Sequence, residues 1–399
     1  MDGFRNKPGL EQFSGVNSHV MRHALGLLFQ LLLSLLSLGL MIAAEHDAAE
    51  PLFPANENGQ WGYINERGKF VIAPQFRSAS EFSEGLACVA AEQGGPHEMT
   101  FIDRKGQMLL SPQFSGCGNF SQGLGAVAVD TPKTVRGCMD CDPFYHWGFI
   151  DNLGKTVIQP KYHFVSAFSE GLAAAEDDAG RWGFIDKTGR TVIELQYEYT
   201  DSFAEGLAVV VWHKRYGYVD HTGRQVIRPQ FRNALRFSES LAAVRASGNF
   251  APPPTPVIMV GGDDTDTEEQ ARWEYIDKHG RIQFRLEAES VGNFSGGLAR
   301  FEIVKPDGYL YCGYTDRTGK ILIQPTFGGC EDFSEGLGLV LLEGKWHFID
   351  RTGNVVLSPP NSLIWSFRNG LAKVSDSRYA GVDDFGYIDK TGSKIWPRQ

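Results

Sequence analysis

Residues 182–197 read WGFIDKTGRTVIELQY. The same arrangement returns as WGYINERGKFVIAPQF at 61–76, WGFIDNLGKTVIQPKY at 147–162, YGYVDHTGRQVIRPQF at 216–231 and CGYTDRTGKILIQPTF at 312–327. Weaker copies begin at Met99, Trp273 and Trp346, and a half copy runs from Phe385 to Pro397, which makes nine. Each copy predicts a β-hairpin. Asp at the first turn position and Gly at the fourth, as in Asp186-Lys187-Thr188-Gly189, suit a type I turn closed by a left-handed Gly bulge. Asn65 stands in for Asp in the first copy and can cap the same turn. In the flanking strand Trp182 and Phe184 share one face, Gly183 and Ile185 the other. Both faces are apolar or small, so neighbouring copies are expected to cover the hairpin on both sides. Pro74, Pro112, Pro160, Pro229 and Pro325 are expected to end the second strand, because proline has no N–H for the ladder.

A second element follows every copy but the last: FSEGLA at 82–87, FSQGLG at 120–125, FSEGLA at 168–173, FAEGLA at 203–208, FSESLA at 237–242, FSGGLA at 294–299, FSEGLG at 333–338 and FRNGLA at 367–372. It turns the chain at Gly and starts a third strand, such as residues 207–211. The turn glycines from Gly68 to Gly392 are spaced by as little as 34 residues, and the longer gaps mark insertions near 131–146, 246–270 and 303–311. The fold class is therefore all-β, a tandem array of units of about 34 residues, each a hairpin plus a third strand. Such units bury their faces only by stacking. The short period and the tally of nine hairpins to eight third strands favour an open β-solenoid or superhelix. A closed, propeller-like array is the alternative.

Composition agrees. Of 399 residues, 46 are Gly and 42% are apolar, which excludes both disorder and collagen. A formal charge of −10 and the lack of any basic run argue against nucleic acid as a partner.

Ala24 to Ala44 contain no charged residue. At about 1.5 Å per helical residue, the segment is long enough to cross a bilayer. Residues 1–44 are thus expected to be an N-terminal extension followed by a signal peptide or membrane anchor, residues 45–60 a linker and 61–397 the array. Arg5, Lys7 and Arg22 precede the segment while Glu45, Asp47 and Glu50 follow it, an orientation that puts the array outside the cytoplasm, whether periplasmic, secreted or anchored. The only membrane contact expected is through residues 24–44.

The recurring Trp61-Gly62, Trp147-Gly148 and Trp182-Gly183 pairs, with Asp-x-x-Gly, Pro-x-aromatic and Phe-Ser-Glu-Gly-Leu-Ala in fixed order, resemble the bacterial WG-repeat family. The resemblance covers residues 61–397. It implies a β-rich repeat scaffold of bacterial origin that acts as a binding or scaffold module and carries no general enzymatic activity. Departures at Met99-Thr100, Trp273-Glu274, Cys312 and Trp346-His347 mark units expected to pack differently or to border an interface.

Candidate chemistry is sparse. The recurrent Glu84, Glu170, Glu205, Glu239 and Glu335 read as turn or inter-unit hydrogen-bonding groups, since an active site needs one or two differentiated acids. Cys117, Cys138, Cys141 and His146 are the residues that could hold zinc, a weak set. Six cysteines outside the cytoplasm suit disulfides instead, with Cys138, Cys141, Cys312 and Cys330 as candidates and the last two spaced to join strands of one unit. Asp264, Asp266 and Glu268 lack the spacing of a calcium loop. Gly148 to Thr156 and Gly123 to Ala128 fail as nucleotide motifs. No cofactor is expected. Trp212, Trp365 and Trp396 fall outside the repeat register and are candidates for a surface binding site. Function is expected to be non-enzymatic binding of a protein or glycan at the bacterial envelope. The alternatives are an envelope hydrolase with its site in the insertions and a membrane-tethered spacer.

Overall fold

Gly183 accounts for the second letter of the repeated Trp-Gly pair. A Cβ there would lie 2.4 Å from the Ile193 carbonyl oxygen of the adjacent strand, and one on Gly148 would lie 2.3 Å from that of Ile158. The backbones approach this closely because the outer strand bulges. Trp182 pairs with Tyr197 but Phe184 with Ile193, so the outer strand carries two extra residues. Pro74, Pro160, Pro229 and Pro325 sit in this bulge and do not end the strand, contrary to expectation: Thr156–Tyr162 runs through Pro160 and Ile321–Phe327 through Pro325, while Pro112 lies outside the described residues. A bulge leaves proline's missing donor without a ladder position to fill. Where Glu274 replaces the glycine, proline is missing as well, and the strands pair in plain register from Trp273↔Leu286 to Tyr275↔Phe284.

The computed structural model describes residues 50–92, 98–111, 113–130, 145–246, 272–376 and 385–397. The segment 24–44 lies outside them, and among the described residues no helix is long and apolar enough to cross a membrane. The described chain forms eight antiparallel sheets in a β-propeller arrangement. Sheet 3 shows the common plan, with strands Phe164–Val165, Leu172–Glu176, Trp182–Asp186 and Thr191–Tyr197 in that order. The unit thus has four strands, and the Phe-x-x-Gly-Leu-Ala strand pairs with the hairpin that follows it. Sheets 2 to 8 span residues 116–162, 164–197, 199–231, 233–287, 290–327, 329–357 and 363–396. Sheet 1 has five strands and holds two hairpins, because Phe70–Ala79 ends one and opens the next without a break.

The array closes, so the open superhelix gives way to the alternative architecture. The Tyr387 hydroxyl of sheet 8 donates to the Pro54 carbonyl of sheet 1 at 3.0 Å. Phe53 packs on Tyr387, Trp61 on Phe385 and Phe70 on Trp396, with ring centroids 5.5, 5.3 and 4.8 Å apart. The uneven tally had a local cause. A ninth long strand, Leu52–Glu57, precedes the first hairpin inside the stretch expected to be a linker. It lacks the Phe-x-x-Gly-Leu-Ala signature but is buried at Leu52, Phe53 and Ala55.

First strands lie innermost. Arg236, two residues past the first strand of sheet 5, acts electrostatically on Asp332, two residues past that of sheet 7. Fourth strands form the outer edges, where residues alternate between exposed and buried. Each core is shared by successive sheets, as where Phe149 and Ile158 meet Phe168, Ala173 and Ile185. At roughly 1.5–3 kcal/mol for burying a large apolar side chain, these shared layers dominate the stability of the ring.

Candidate functional site: two unlike faces

Because the strands alternate in direction, the Phe-x-x-Gly turns and the Asp-x-x-Gly turns emerge on one face. Connections between second and third strands emerge on the other, and the insertion near 303–311 falls there, while 131–144 and 247–271 lie outside the described residues.

The turn face is uniform. In Ser169-Glu170-Gly171-Leu172 the end residues exchange backbone hydrogen bonds, and Glu170 and Gly171 both take positive φ, 52° and 88°, as a type I′ turn requires. A left-handed Glu is unfavourable by itself. Its carboxylate compensates by accepting the next turn's backbone N–H, Glu170 from Gly206 at 2.9 Å, Glu205 from Ser240 at 2.9 Å, Glu239 from Gly297 at 3.0 Å and Glu335 from Gly370 at 3.2 Å. Glu84 takes two such donors, Gln122 at 2.6 Å and Gly123 at 2.8 Å. The neighbouring serines donate onward as well: Ser83 to the Phe120 carbonyl, Ser121 to Phe168, Ser169 to Phe203, Ser238 to Phe294, Ser295 to Phe333 and Ser334 to Phe367, all within 2.6–2.7 Å. His221, Lys278 and Lys390 pair with Glu170, Glu205 and Glu335. The recurrent carboxylates are thus structural ties between sheets.

The Asp turns form as their sequence requires. Asp186 Oδ1 accepts from the Thr188 and Arg190 N–H groups, and Asn65 Oδ1 does the same for Arg67 and Lys69. The hydroxyls of Thr188, Thr222 and Thr352, with backbone donors beside them, hold Asp186, Asp220 and Asp350 down at about 2, below the ordinary 3.8.

The loop face is irregular and carries an aromatic ladder. Trp147 of sheet 2, Phe164 and Trp182 of sheet 3 and Tyr199 of sheet 4 follow one another with centroids 6.5, 5.5 and 5.7 Å apart. Phe164 and Tyr199 are 44% and 45% exposed. Trp147 and Trp182 are half-buried beside them, whereas Trp61 and Trp273 at the same repeat position are buried. Tyr199 also walls a cavity of about 530 Å³ along the inner edge of sheets 4 to 6, lined by Asp201, Tyr216, Asn233, Arg236 and Asn293. Burial, then Asp201 and Tyr216, raise the Tyr199 phenol above its ordinary value. The Asn293 Oδ1 atom is buried without a hydrogen-bond partner. A second cavity, about 680 Å³, lies between sheets 5 and 6 and is lined by Arg272, Arg285, Glu287, Phe301 and Ile303.

Most residues singled out from sequence do not converge. Cys117 is bonded to Cys88, which removes it from the zinc set, and His146 Nε2 lies 2.9 Å from Asp178 Oδ1. Cys138 and Cys141 fall outside the described residues, as do Asp264, Asp266 and Glu268. Among the described residues no group of His, Cys, Asp and Glu could hold a metal ion. Cys312 and Cys330 do form a disulfide, but it joins sheet 6 to sheet 7 and not two strands of one sheet. The Cys88–Cys117 bond likewise joins sheets 1 and 2. Trp396 is buried in the closure against Phe70, so it offers no surface. Trp212 is half-buried against Tyr197, and Trp365 is 44% exposed with Lys373 over its ring. The ladder was missed, yet it had a signal. Only Tyr162-His163-Phe164 and Tyr197-Glu198-Tyr199 place an aromatic two residues after the outer-strand aromatic, where other copies carry Ser78, Asn233 or Gly329.

These features define a repeat-built β-propeller with one face consumed by repeat-to-repeat bonds and one left for variable loops. The model of the WG containing repeat matches residues 61–90, 99–130, 147–179, 182–211, 216–250 and 313–346, and the chain belongs to the WG-repeat proteins. Among solved structures the chain is similar to BamB from Moraxella catarrhalis, at 11% identity and a TM-score of 0.40 over 76% of this chain and 90% of that one. It is also similar to the WD40 domain of Toxoplasma gondii coronin, at 7% identity and a TM-score of 0.32 over 60% and 68% of the two chains. A third likeness is to Kluyveromyces lactis Hsv2, at 8% identity and a TM-score of 0.35 over 67% and 98%. No curated protein matches the sequence.

Proposed function

We propose that this protein is a non-enzymatic, exported scaffold that binds a protein or glycan partner at the bacterial cell envelope through its loop face. The observation that carries the reading is the asymmetry between the faces. Turn-face carboxylates and hydroxyls are committed to neighbouring turns, while exposed aromatics stand on the opposite side and lead to a polar cavity along the inner edge. In repeat proteins, insertions on one face commonly build the binding surface. Export is supported by the Cys88–Cys117 and Cys312–Cys330 disulfides, which persist in oxidising compartments, and by the uncharged segment 24–44.

Capture from envelope extracts on the immobilised protein tests the binding role. A partner retained by the native chain, lost on Phe164→Ala with Tyr199→Ala and kept on Glu170→Gly is the expected result. Retention that follows the turn-face change overturns the assignment of the face, and cytoplasmic recovery of the protein after fractionation overturns the location.

A further inference from the structure

The ladder and the inner-edge cavity share Tyr199 and are one continuous feature. We infer that they form an oligosaccharide-binding site, in which successive sugar rings lie along Trp147, Phe164, Trp182 and Tyr199 and a terminal sugar enters the cavity lined by Asp201, Asn233, Arg236 and Asn293. The inference rests on the scaffold reading above and names the ligand class of its loop face.

Sugar rings carry an apolar C–H face and a rim of hydroxyls, so their recognition needs flat aromatic surface beside groups that both donate and accept hydrogen bonds. Both are present here. The ring centroids are 5.5 to 6.5 Å apart, which sets aromatic surface in an unbroken row across three sheets. At the end of the row stand a carboxylate, two carboxamides and a guanidinium on a floor of Tyr199 and Tyr216. Asp201 Oδ1 accepts the Ser202 N–H at 2.7 Å, an arrangement that fixes the carboxylate in place. Asn293 lines the same cavity, with its side-chain oxygen itself closed off from solvent. A volume of about 530 Å³ falls in the range of small-molecule sites, roughly 300–1,000 Å³.

Other occupants fit less well. A proline-rich segment docks in aromatic grooves with few polar partners and leaves this cavity's amides unanswered. An apolar protein hot spot seeks a desolvated apolar pocket, and this lining is predominantly polar. Nucleic acid also stacks on aromatics but needs a basic groove, against a chain of formal charge −10 and Asp201 at the site.

The test is calorimetric titration of the full exported chain with cellohexaose, chitohexaose and maltohexaose, followed by an array of bacterial surface glycans, with a decaproline peptide alongside. Binding of at least one glycan, with a change in tryptophan fluorescence from the ladder, is expected. Phe164→Ala and Asn233→Ala are each expected to weaken it at least tenfold with unchanged melting temperature, and Asn293→Ala to act likewise. Silence across the glycans, or binding that survives all three substitutions, overturns the inference. Envelope partner capture without glycan binding overturns the ligand class and leaves the scaffold standing. Glycan binding without envelope retention does the reverse.

Discussion

The turn face and the loop face are made from the same strands and behave as different materials. On the turn face, Ser169, Glu170 and Asp186 each satisfy a backbone group, two of them on the neighbouring unit, so identity there is dictated by the ring. On the loop face, Phe164 and Tyr199 stand exposed in a ladder that runs over sheets 2 to 4. A repeat conserves what its neighbours must recognise and can vary the rest, so function collects where the inter-unit bonds are fewest.

The comparison can be broken in several places. The largest expected effect is loss of the inter-sheet disulfides. Cys88→Ser and Cys312→Ser should each cost about 2–4 kcal/mol, read by urea unfolding. Next comes the bulge. Gly148→Ala sets a methyl against the Ile158 carbonyl and should cost roughly 1–3 kcal/mol, whereas Glu274→Gly, where the strands pair in plain register, should not gain that amount back, because Arg285 loses its 2.8 Å partner. Equal and opposite effects at the two sites would show that glycine is chosen for something other than the close strand.

Smaller effects sharpen the turn face. Ser169→Ala should lose about 1 kcal/mol, and Ala204→Ser, at the one Phe-x-x-Gly-type element where alanine replaces the repeat's serine, should recover up to a similar amount by reaching the Phe237 carbonyl. Acid should act through the Asp turns. Their folded pKa lies below the unfolded value, so their stabilisation is full above 3.8 and is lost as pH falls toward about 2. Replacing Asp186, Asp220 and Asp350 by Asn, which caps the first turn natively at Asn65, should flatten the fall in melting temperature over that interval. The smallest effect belongs to the loop face, where Phe164→Ala should move stability by no more than about 0.5 kcal/mol while weakening ligand binding at least tenfold.

Much of the fold was legible because turn chemistry is local. Asp186 and Gly189 lie three residues apart and meet within one turn, so their letters suffice. The site was less legible because its members come from separate sheets. Tyr199, Asn233 and Asn293 are ordinary residues until closure sets them around one cavity. Trp396 illustrates the converse: off-register in sequence, it looked superficial and proved to be part of the seam.

By itself, then, the sequence determined the hairpins, their number, the Asp-x-x-Gly turns and the structural part played by the recurrent glutamates, all of which depend on neighbours along the chain or on the copy next in line. Tertiary structure decided closure, the pairing of Cys88 with Cys117 and of Cys312 with Cys330 across sheets, and the ladder and its cavity. The physical reason is range. A turn is settled by a few adjacent dihedral angles and hydrogen bonds, whereas closing a ring depends on small rotations summed over every sheet, and Leu52–Glu57 took its place in the seam by packing against Tyr387 and Trp396, with no signature of its own.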